Sequence, residues 1–376
     1  MQFIGVWDTV GALGVPDNLG WLNLLDPLHR YDFHDLTLNP HIRHARHALA
    51  MDERRGPYMP TLWSEPFAPE QTVKQVWFAG SHKDVGGGHS QAGLSDSALL
   101  WMIEEARDAG RVGFNKTTVD QIRPDPLDVL HDDDRGVFGL LEPLVDPVLK
   151  PWLEFFLQPR PRAVPAINPD APNPAIHNSV YDRYQNPPIT SGRYRATRIL
   201  APGQTETVEV LAREPWNESG LYLEAGEYSF TADGEWMDGT IPSGPGGTNG
   251  PSRVDHVVRN PLVEAARLVS TVSGRMERLF RLVTRNRTAN FIFSRREEDL
   301  PRMSLVGVIA NDAAPVKGAL NIHERIAIGT GARHRVTKSG YLYAFANDAW
   351  GFHVNNQRGV RLTVTRLADQ ERRPFG

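Results

Sequence analysis

Two short apolar runs, each closed by polar residues, constrain this chain more than anything else in it. Phe3-Ile4-Gly5-Val6-Trp7 leads directly into Asp8-Thr9-Val10-Gly11. Val73 to Ala79 leads into Gly80-Ser81-His82-Lys83-Asp84, then Val85 and three glycines. Runs of this kind suit strands buried on both faces, as in a parallel sheet covered by helices. Between them, Pro40 to Met51 reads as a helix. After the second run, Ser95 is placed to cap a helix and Gly110 to end it. Leu99, Met102, Ile103 and Ala106 form its apolar stripe. Strand, helix, strand, helix predicts an α/β domain with a parallel sheet.

The first strand begins almost at Met1, with no basic region and no long apolar core, so the amino terminus is not a signal peptide. Domains rarely open inside a core strand. The expectation is that sequence once preceded Met1, that the sheet lacks strands on one side, and that an apolar edge is exposed there. No stretch reaches the roughly 18 to 20 apolar residues of a membrane span. The nearest, Val137 to Leu157, is broken by Pro143, Pro147 and Pro151 and charged at Glu142, Asp146, Lys150 and Glu154.

The chain has 376 residues, room for two domains. Its formal charge of -4 gives no reason to expect nucleic acid as a partner, and the absence of cysteine excludes disulfides and thiolate metal sites. Residues 1–200 read as the α/β domain, with the Pro- and Asp-rich stretch 111–200 as a cover or lid. Residues 203–370 read as a β-sandwich. Thr207 to Val210, Tyr222-Leu223, Tyr228 to Thr231, Gly340 to Phe345 and Val360 to Arg366 are its short strands. A helical insertion at about 253–290 interrupts it. That insertion carries Arg275, Arg278, Arg281, Arg285 and Arg287 among Leu279, Phe280, Leu282 and Val283. Such a helix suits an anionic lipid surface, or packing on a neighbour with snorkelling arginines.

In an open parallel sheet, functional side chains stand just beyond the carboxyl ends of the strands. Asp8 and His82 both occupy that position. Their order fits the last two members of a Ser, Asp, His triad. The imidazole takes and returns a proton, and the carboxylate holds the ring in the right tautomer. A capping Asp and a satisfied loop His are the plain alternative in a chain with 13 His. His41, His44 and His47, spaced by three, suggest a metal-binding face on the expected helix, or a stripe facing solvent or another domain. Asp84 with the glycines at 86–88 lacks the Lys-Ser/Thr end of a phosphate loop and reads as a tight turn beside His82. His131-Asp132-Asp133-Asp134 reads as an exposed turn rather than a metal site.

The segments Phe3 to Gly11, Ala45-Arg46-His47-Ala48-Leu49-Ala50-Met51-Asp52-Glu53-Arg54-Arg55 and Val76 to Gly88 occur in one order, followed by Gly93-Leu94-Ser95-Asp96 and Ile176 to Val180. Together they resemble a bacterial and fungal α/β-hydrolase family first catalogued as a domain of unknown function, which includes phospholipase effectors of the type VI secretion system. The resemblance covers about residues 1–195. It implies that Asp8 is the triad acid and His82 the base, that no cofactor is needed, and that the substrate is a lipid ester or phospholipid. It also implies synthesis in the bacterial cytoplasm, export by type VI secretion, and a secretion-system component or immunity protein as partner. The family's Gly-x-Ser-x-Gly elbow lies ahead of the Phe3 block. Here Gly93-Leu94-Ser95-Asp96-Ser97 lacks the closing Gly, and Ser81 is adjacent to the base rather than opposite it. The expectation is a truncated, carboxy-terminal part of an α/β hydrolase, inactive alone for want of a nucleophile and its oxyanion donors.

Trp216 to Leu221, Gly226 to Phe230, Gly234 to Asp238, Tyr341 to Asp348 and Asn355-Asn356 resemble the β-sandwich of the galactose-binding bacterial lectin PA-IL and its relatives. That likeness implies calcium at Asp348, Asn355 and Asn356, with carbonyls near Gly239 and of Phe352. Asn-Asp and Asn-Asn are also ordinary turn residues. Three readings stand: a hydrolase fragment; a non-catalytic module binding a glycan or membrane surface; and one half of an assembly whose nucleophile-bearing segment is a separate chain.

Overall fold

The computed structural model describes residues 1–10, 37–55, 58–131, 159–189, 192–248, 296–312, 323–349 and 352–368. The stretch from Val137 to Leu157 and the expected insertion at 253–290 lie outside them. The described chain forms two compact units that divide between Thr197 and Arg198.

The first unit is built on a parallel sheet of β1 (Phe3–Trp7), β2 (His44–Ala50) and β3 (Thr72–Phe78), in that spatial order. The helix expected over Pro40 to Met51 is therefore a strand from His44. Three alanines and a leucine favour helix locally, but this segment is hydrogen-bonded on both sides and buried almost throughout. Ladder bonds on two edges and burial on two faces outweigh a few tenths of a kcal/mol per residue of propensity. The change also dissolves the histidine face. An odd spacing along a strand sends His44 and His47 to opposite sides. His44 Nδ1 meets Thr72 Oγ1 at 2.8 Å, whereas His47 Nε2 accepts the Thr9 amide at 3.0 Å.

The helices α1 (His82–Gly86) and α2 (Gly93–Asp108) follow β3. α2 lays Leu94, Ala98, Met102, Ile103 and Ala106 inward, while Leu99 is exposed. Its cap is Ala92, not Ser95, whose hydroxyl donates to the Ala92 carbonyl at 3.0 Å from within the first turn. Gly5 permits the close approach of α2: a Cβ there would lie 2.5 Å from Met102 Sδ. Ala48, Ala50, Val76, Phe78, Val85, Ala98 and Met102 form the core between sheet and helices, joined by Phe3, Trp7 and Trp101. Arg46 is buried on β2 and held by Glu105 of α2 and by the Ala45 and Thr72 carbonyls. A short helix α3 (Lys116–Val119) and α4 (Asn178–Gln185) complete the unit. Just before α4, Ile176 bridges Trp77 in parallel and covers the outer edge of β3. At the opposite edge, every residue of β1 is part-exposed.

The second unit is the expected antiparallel sandwich. Its strands are β4 (Arg198–Ile199), β5 (Thr205–Leu211), β6 (Asn217–Leu223), β7 (Gly226–Gly234), β8 (Trp236–Asp238), β9 (Ile241–Ser243), β10 (Gly246–Thr248), β11 (Arg302–Ala310), β12 (Glu324–Ala327), β13 (Gly331–Val336), β14 (Gly340–Ala346), β15 (Asn356–Gln357) and β16 (Gly359–Arg366). One sheet runs β10-β11-β14-β6-β4 with β12 also on β11; the second runs β13-β7-β16-β5; a small third runs β15-β8-β9. β16 shows how sequence sets the faces. Val360, Leu362 and Val364 point into the core with Phe230, Leu221 and Leu305. Thr363 and Thr365 point outward and pair with Thr207 and Thr205 through their hydroxyls at 2.9 and 2.8 Å. β14 is buried on both faces, because Trp216 packs edge-on against Tyr343 and Phe345 outside the inner core. Among the described residues, no helix is long and apolar enough to cross a membrane.

Candidate active site

Asp8 ends β1 at the carboxyl edge of the parallel sheet. Its amide donates to the Ala48 carbonyl at 2.7 Å, continuing the ladder, but its φ of 39° turns the chain into the left-handed region. Few residues tolerate that conformation, and Asp is one of them. The turn aims the carboxylate back over β2, where it is fully buried. Oδ1 accepts from the Ala50 amide (2.8 Å) and Arg162 Nη1 (2.7 Å); Oδ2 accepts from Arg162 Nη2 (3.0 Å) and His82 Nδ1 (2.9 Å).

Burial alone would push this carboxyl upward. The Arg162 charge and the hydrogen bonds from His82, Arg162 and the Ala50 amide outweigh it and hold the pKa at about 2. Asp8 is therefore an anion at any physiological pH. Arg162 is itself buried, and it also donates to the carbonyls of Ala50 (2.5 Å) and Tyr58. A buried guanidinium held by a carboxylate and two carbonyls is a fixed pair rather than a mobile one.

His82 opens α1, directly after its N-cap Ser81. Its backbone amide donates to Glu53 Oε2 at 3.3 Å, and its ring meets the edge of Tyr58 at 5.2 Å between centroids. Because Asp8 is an anion, His82 Nδ1 is the protonated nitrogen and Nε2 carries the lone pair. Among the described residues nothing hydrogen-bonds to Nε2, and the side chain is 30% exposed. This is the arrangement of a general base: oriented from behind, open in front. Behind it, His47 is neutral, since burial lowers its pKa to about 4 against the pull of Asp8. It uses that neutral nitrogen to position Thr9 in the loop after Asp8.

Ser81 is a structural residue. Its side chain accepts the Asp84 amide while Asp84 Oδ2 accepts the Ser81 amide, a reciprocal capping box. Two partners in this region escaped the sequence. Arg162 lies 154 positions from Asp8 within a proline-rich stretch that carries no local signal. His131 was read as part of an exposed turn, yet its ring is half-buried and its Nδ1 stands 2.6 Å from Asp84 Oδ1. Asp132, Asp133 and Asp134 lie outside the described residues.

In the second unit, Asp348 and Asn356 are buried and adjacent. Asp348 Oδ2 accepts Asn356 Nδ2 at 3.2 Å; Oδ1 accepts the Ala349 amide at 2.8 Å and the Arg302 guanidinium. Asn355 turns instead to Asp238, donating to Oδ1 at 3.2 Å. Arg302 also lies 4.0 Å from Asp238 Oδ2, so one guanidinium stands between the two carboxylates. Arg302 did not stand out in the sequence, and Asp238 closed a lectin-like block there without being read as a site residue. Asn356 Oδ1 is buried with no hydrogen-bond partner among the described residues. Nearby His353 is neutral, its pKa lowered to about 3 by burial and by Arg296 and Arg302.

The parallel sheet thus brings together a buried carboxylate and a hydrogen-bonded imidazole whose Nε2 is open. Residues 1–105 match the family described as "T6SS, Phospholipase effector Tle1-like, catalytic domain". The match takes in Asp8 and His82 and stops short of His131 and Arg162. Among solved structures, the chain is similar to "EclA N-terminal domain; PllA-like lectin" at 14% identity, over 43% of this chain and 94% of that one, with a TM-score of 0.24. A score that low carries no weight for the second unit, whose architecture rests on its own strands. No curated protein matches the sequence.

Proposed function

We propose that the first unit supplies the acid and base of a lipid-ester hydrolase, acting on phospholipids by an acyl-serine mechanism. The observation that carries this is the 2.9 Å contact from His82 Nδ1 to Asp8 Oδ2, with the carboxylate locked by Arg162 at the carboxyl end of β1. In this mechanism, His82 Nε2 takes the proton of a serine hydroxyl as it attacks the ester carbonyl, then gives it to the leaving alkoxide. Asp8 stabilises the imidazolium without taking the proton, as its low pKa demands. The sequence contains no Gly-x-Ser-x-Gly elbow. The nucleophile and its oxyanion donors therefore come from a segment other than this one, and this chain by itself is inactive. The family name supports delivery by type VI secretion.

The test has two arms. The chain alone is assayed on short nitrophenyl esters and phospholipid vesicles, where no turnover is expected. It is then assayed with a separately supplied nucleophile-bearing segment of the same family, where turnover is expected and His82→Ala removes it. Activity of the chain alone, lost with His82→Ala, would overturn the missing-nucleophile reading. Activity of the pair that survives His82→Ala would overturn the assigned base.

One observation favours a second reading for the other unit: the buried, unpartnered Asn356 Oδ1 beside Asp348. An orphaned acceptor costs about 1–3 kcal/mol, and together with Asp348 and Asn355 it fits the hard-oxygen donor set of calcium. In this reading, the Phe352 carbonyl joins them, Arg302 gives up Asp348, and the ion presents itself to glycan hydroxyls. Calorimetry with calcium, then with sugars, tests it. Binding strengthened by Arg302→Ala is expected, and no heat with either would leave a structural sandwich.

A further inference from the structure

A second cluster of titratable groups begins two residues beyond His82, and the acid–base chemistry makes no use of it. Asp84 is buried in the first turn of α1. Its Oδ2 accepts the amides of Ser81 (3.0 Å) and His131 (3.1 Å). That leaves Oδ1 turned toward two imidazoles, with His131 Nδ1 at 2.6 Å and His89 Nε2 at 4.0 Å. The two rings are stacked, with centroids 3.7 Å apart and planes 12° from parallel. One ligand atom from each of the three residues falls within 4.8 Å of the others.

Asp84 and His131 are delivered by backbone that is itself held. Asp84 is locked by the capping box of α1. His131 ends a segment pinned at several points: Asp128 Oδ2 accepts the Gly93 amide at 2.8 Å, and Arg183 Nη1 donates to the carbonyls of Pro126 and Asp128 at 2.9 and 2.8 Å. His89 follows directly on Gly87 and Gly88, whose φ of 87° and 133° turn the chain at the end of α1.

We propose that Asp84, His89 and His131 form a binding site for a divalent cation of the zinc type. Two imidazoles and one carboxylate are a donor set for zinc rather than for calcium or magnesium, which ask for oxygen alone. Tetrahedral bonds of about 2.0–2.1 Å place neighbouring ligand atoms about 3.3 Å apart. The separations from Asp84 Oδ1, 2.6 and 4.0 Å, straddle that value, so small side-chain shifts close the site. The surroundings suit it as well. The other oxygen of Asp84 is held by two amides, and Gln91 Oε1 lies 3.4 Å from His131 Nε2, placed to accept its N–H. With that proton on Nε2, the lone pair of Nδ1 faces Asp84, an arrangement that a shared cation satisfies. The fourth position is left to water. A bound ion would tie α1, which carries His82 and Asp84, to the segment 125–131.

The experiment is calorimetric titration of Zn²⁺ into the metal-free full chain. One equivalent is expected to bind, and Co²⁺ in its place should give the visible absorption of a tetrahedral site. His89→Phe keeps a stacked ring but removes a ligand, and should weaken zinc by more than about 100-fold, the upper end for loss of an outer partner. Gln91→Ala should weaken it by about 10-fold. Because His131→Phe also removes the ring nitrogen that stands 2.6 Å from Asp84 Oδ1, its fold is checked by circular dichroism, and His89→Phe decides the matter if it unfolds. No binding at tens of micromolar Zn²⁺, or binding that His89→Phe leaves unchanged, overturns the site.

Discussion

The two units each bury a carboxylate against an arginine, and they put the pair to different use. In the first, Asp8 and Arg162 are both sealed from solvent, and Asp8 also accepts from His82, whose far nitrogen is open. In the second, Asp348 meets Arg302, which keeps a partly exposed flank, and the remaining contacts turn inward to Asn356 and Ala349. The ion pair is the same structural device in both. What sets the first pair apart is that its third partner, His82, reaches outward.

The largest effect that tests this contrast is on turnover. With the nucleophile segment supplied, Asp8→Asn should cut kcat by about 10⁴-fold, because an amide no longer enforces the Nδ1–H tautomer. Asp348→Asn should leave ester turnover unchanged. Equal losses would erase the distinction between the two carboxylates.

Next comes stability, measured by urea unfolding. Arg162→Ala leaves a fully buried carboxylate uncompensated and should cost about 3–5 kcal/mol. Asp8 and Asp348 would each keep two other donors, but Arg302 is partly exposed and water can reach the vacated side, so Arg302→Ala should cost about 1–2 kcal/mol. A reversed order would mean that exposure does not set the cost.

Acid should sharpen the comparison further. Asp8 has a folded pKa of about 2 against an ordinary value of 3.8, so its contribution, about 2 kcal/mol, is full above pH 4 and is lost as pH falls toward 2. His47 and His177 fall to about 4, and His353 to about 3, chiefly through burial. The unfolded chain takes up those protons near pH 6.5 while the folded chain does not, so stability should already decline as pH drops from 6.5 to 4. His353→Gln should flatten that slope for the second unit alone, as followed by pH-dependent unfolding.

The smallest effect belongs to the open face of the sandwich. Thr207→Val breaks its hydroxyl pair with Thr363 and should cost about 0.5 kcal/mol, readable as a small shift in the urea midpoint.

How much of this was legible varies with the range of the interaction. The apolar runs at Phe3 and Val76 announced strands, and β16 declared its inner and outer faces through Val-Arg-Leu-Thr-Val-Thr. His44 to Ala50 misled, because alanine-rich sequence favours helix and only the two flanking strands reveal the ladder it completes. Asp8 and His82, 74 positions apart, were visible because each follows the carboxyl end of its own strand. Arg162, His131, Arg302 and Asp238 were not, because nothing in their neighbours' sequence depends on the partner each one meets.

The sequence by itself determined the local choices: the strands at Phe3, at Val73 and in the sandwich, which of their faces are apolar, and that Asp8 and His82 follow the carboxyl ends of strands. Those are decided by side chains a few positions apart, through hydrophobic period and turn chemistry. Tertiary structure alone decided that Asp8 is an anion clamped by Arg162, that His82 Nε2 is left open, and that His131 faces Asp84. Burial and charge pairing set those properties, and both depend on segments that meet only once the chain has folded.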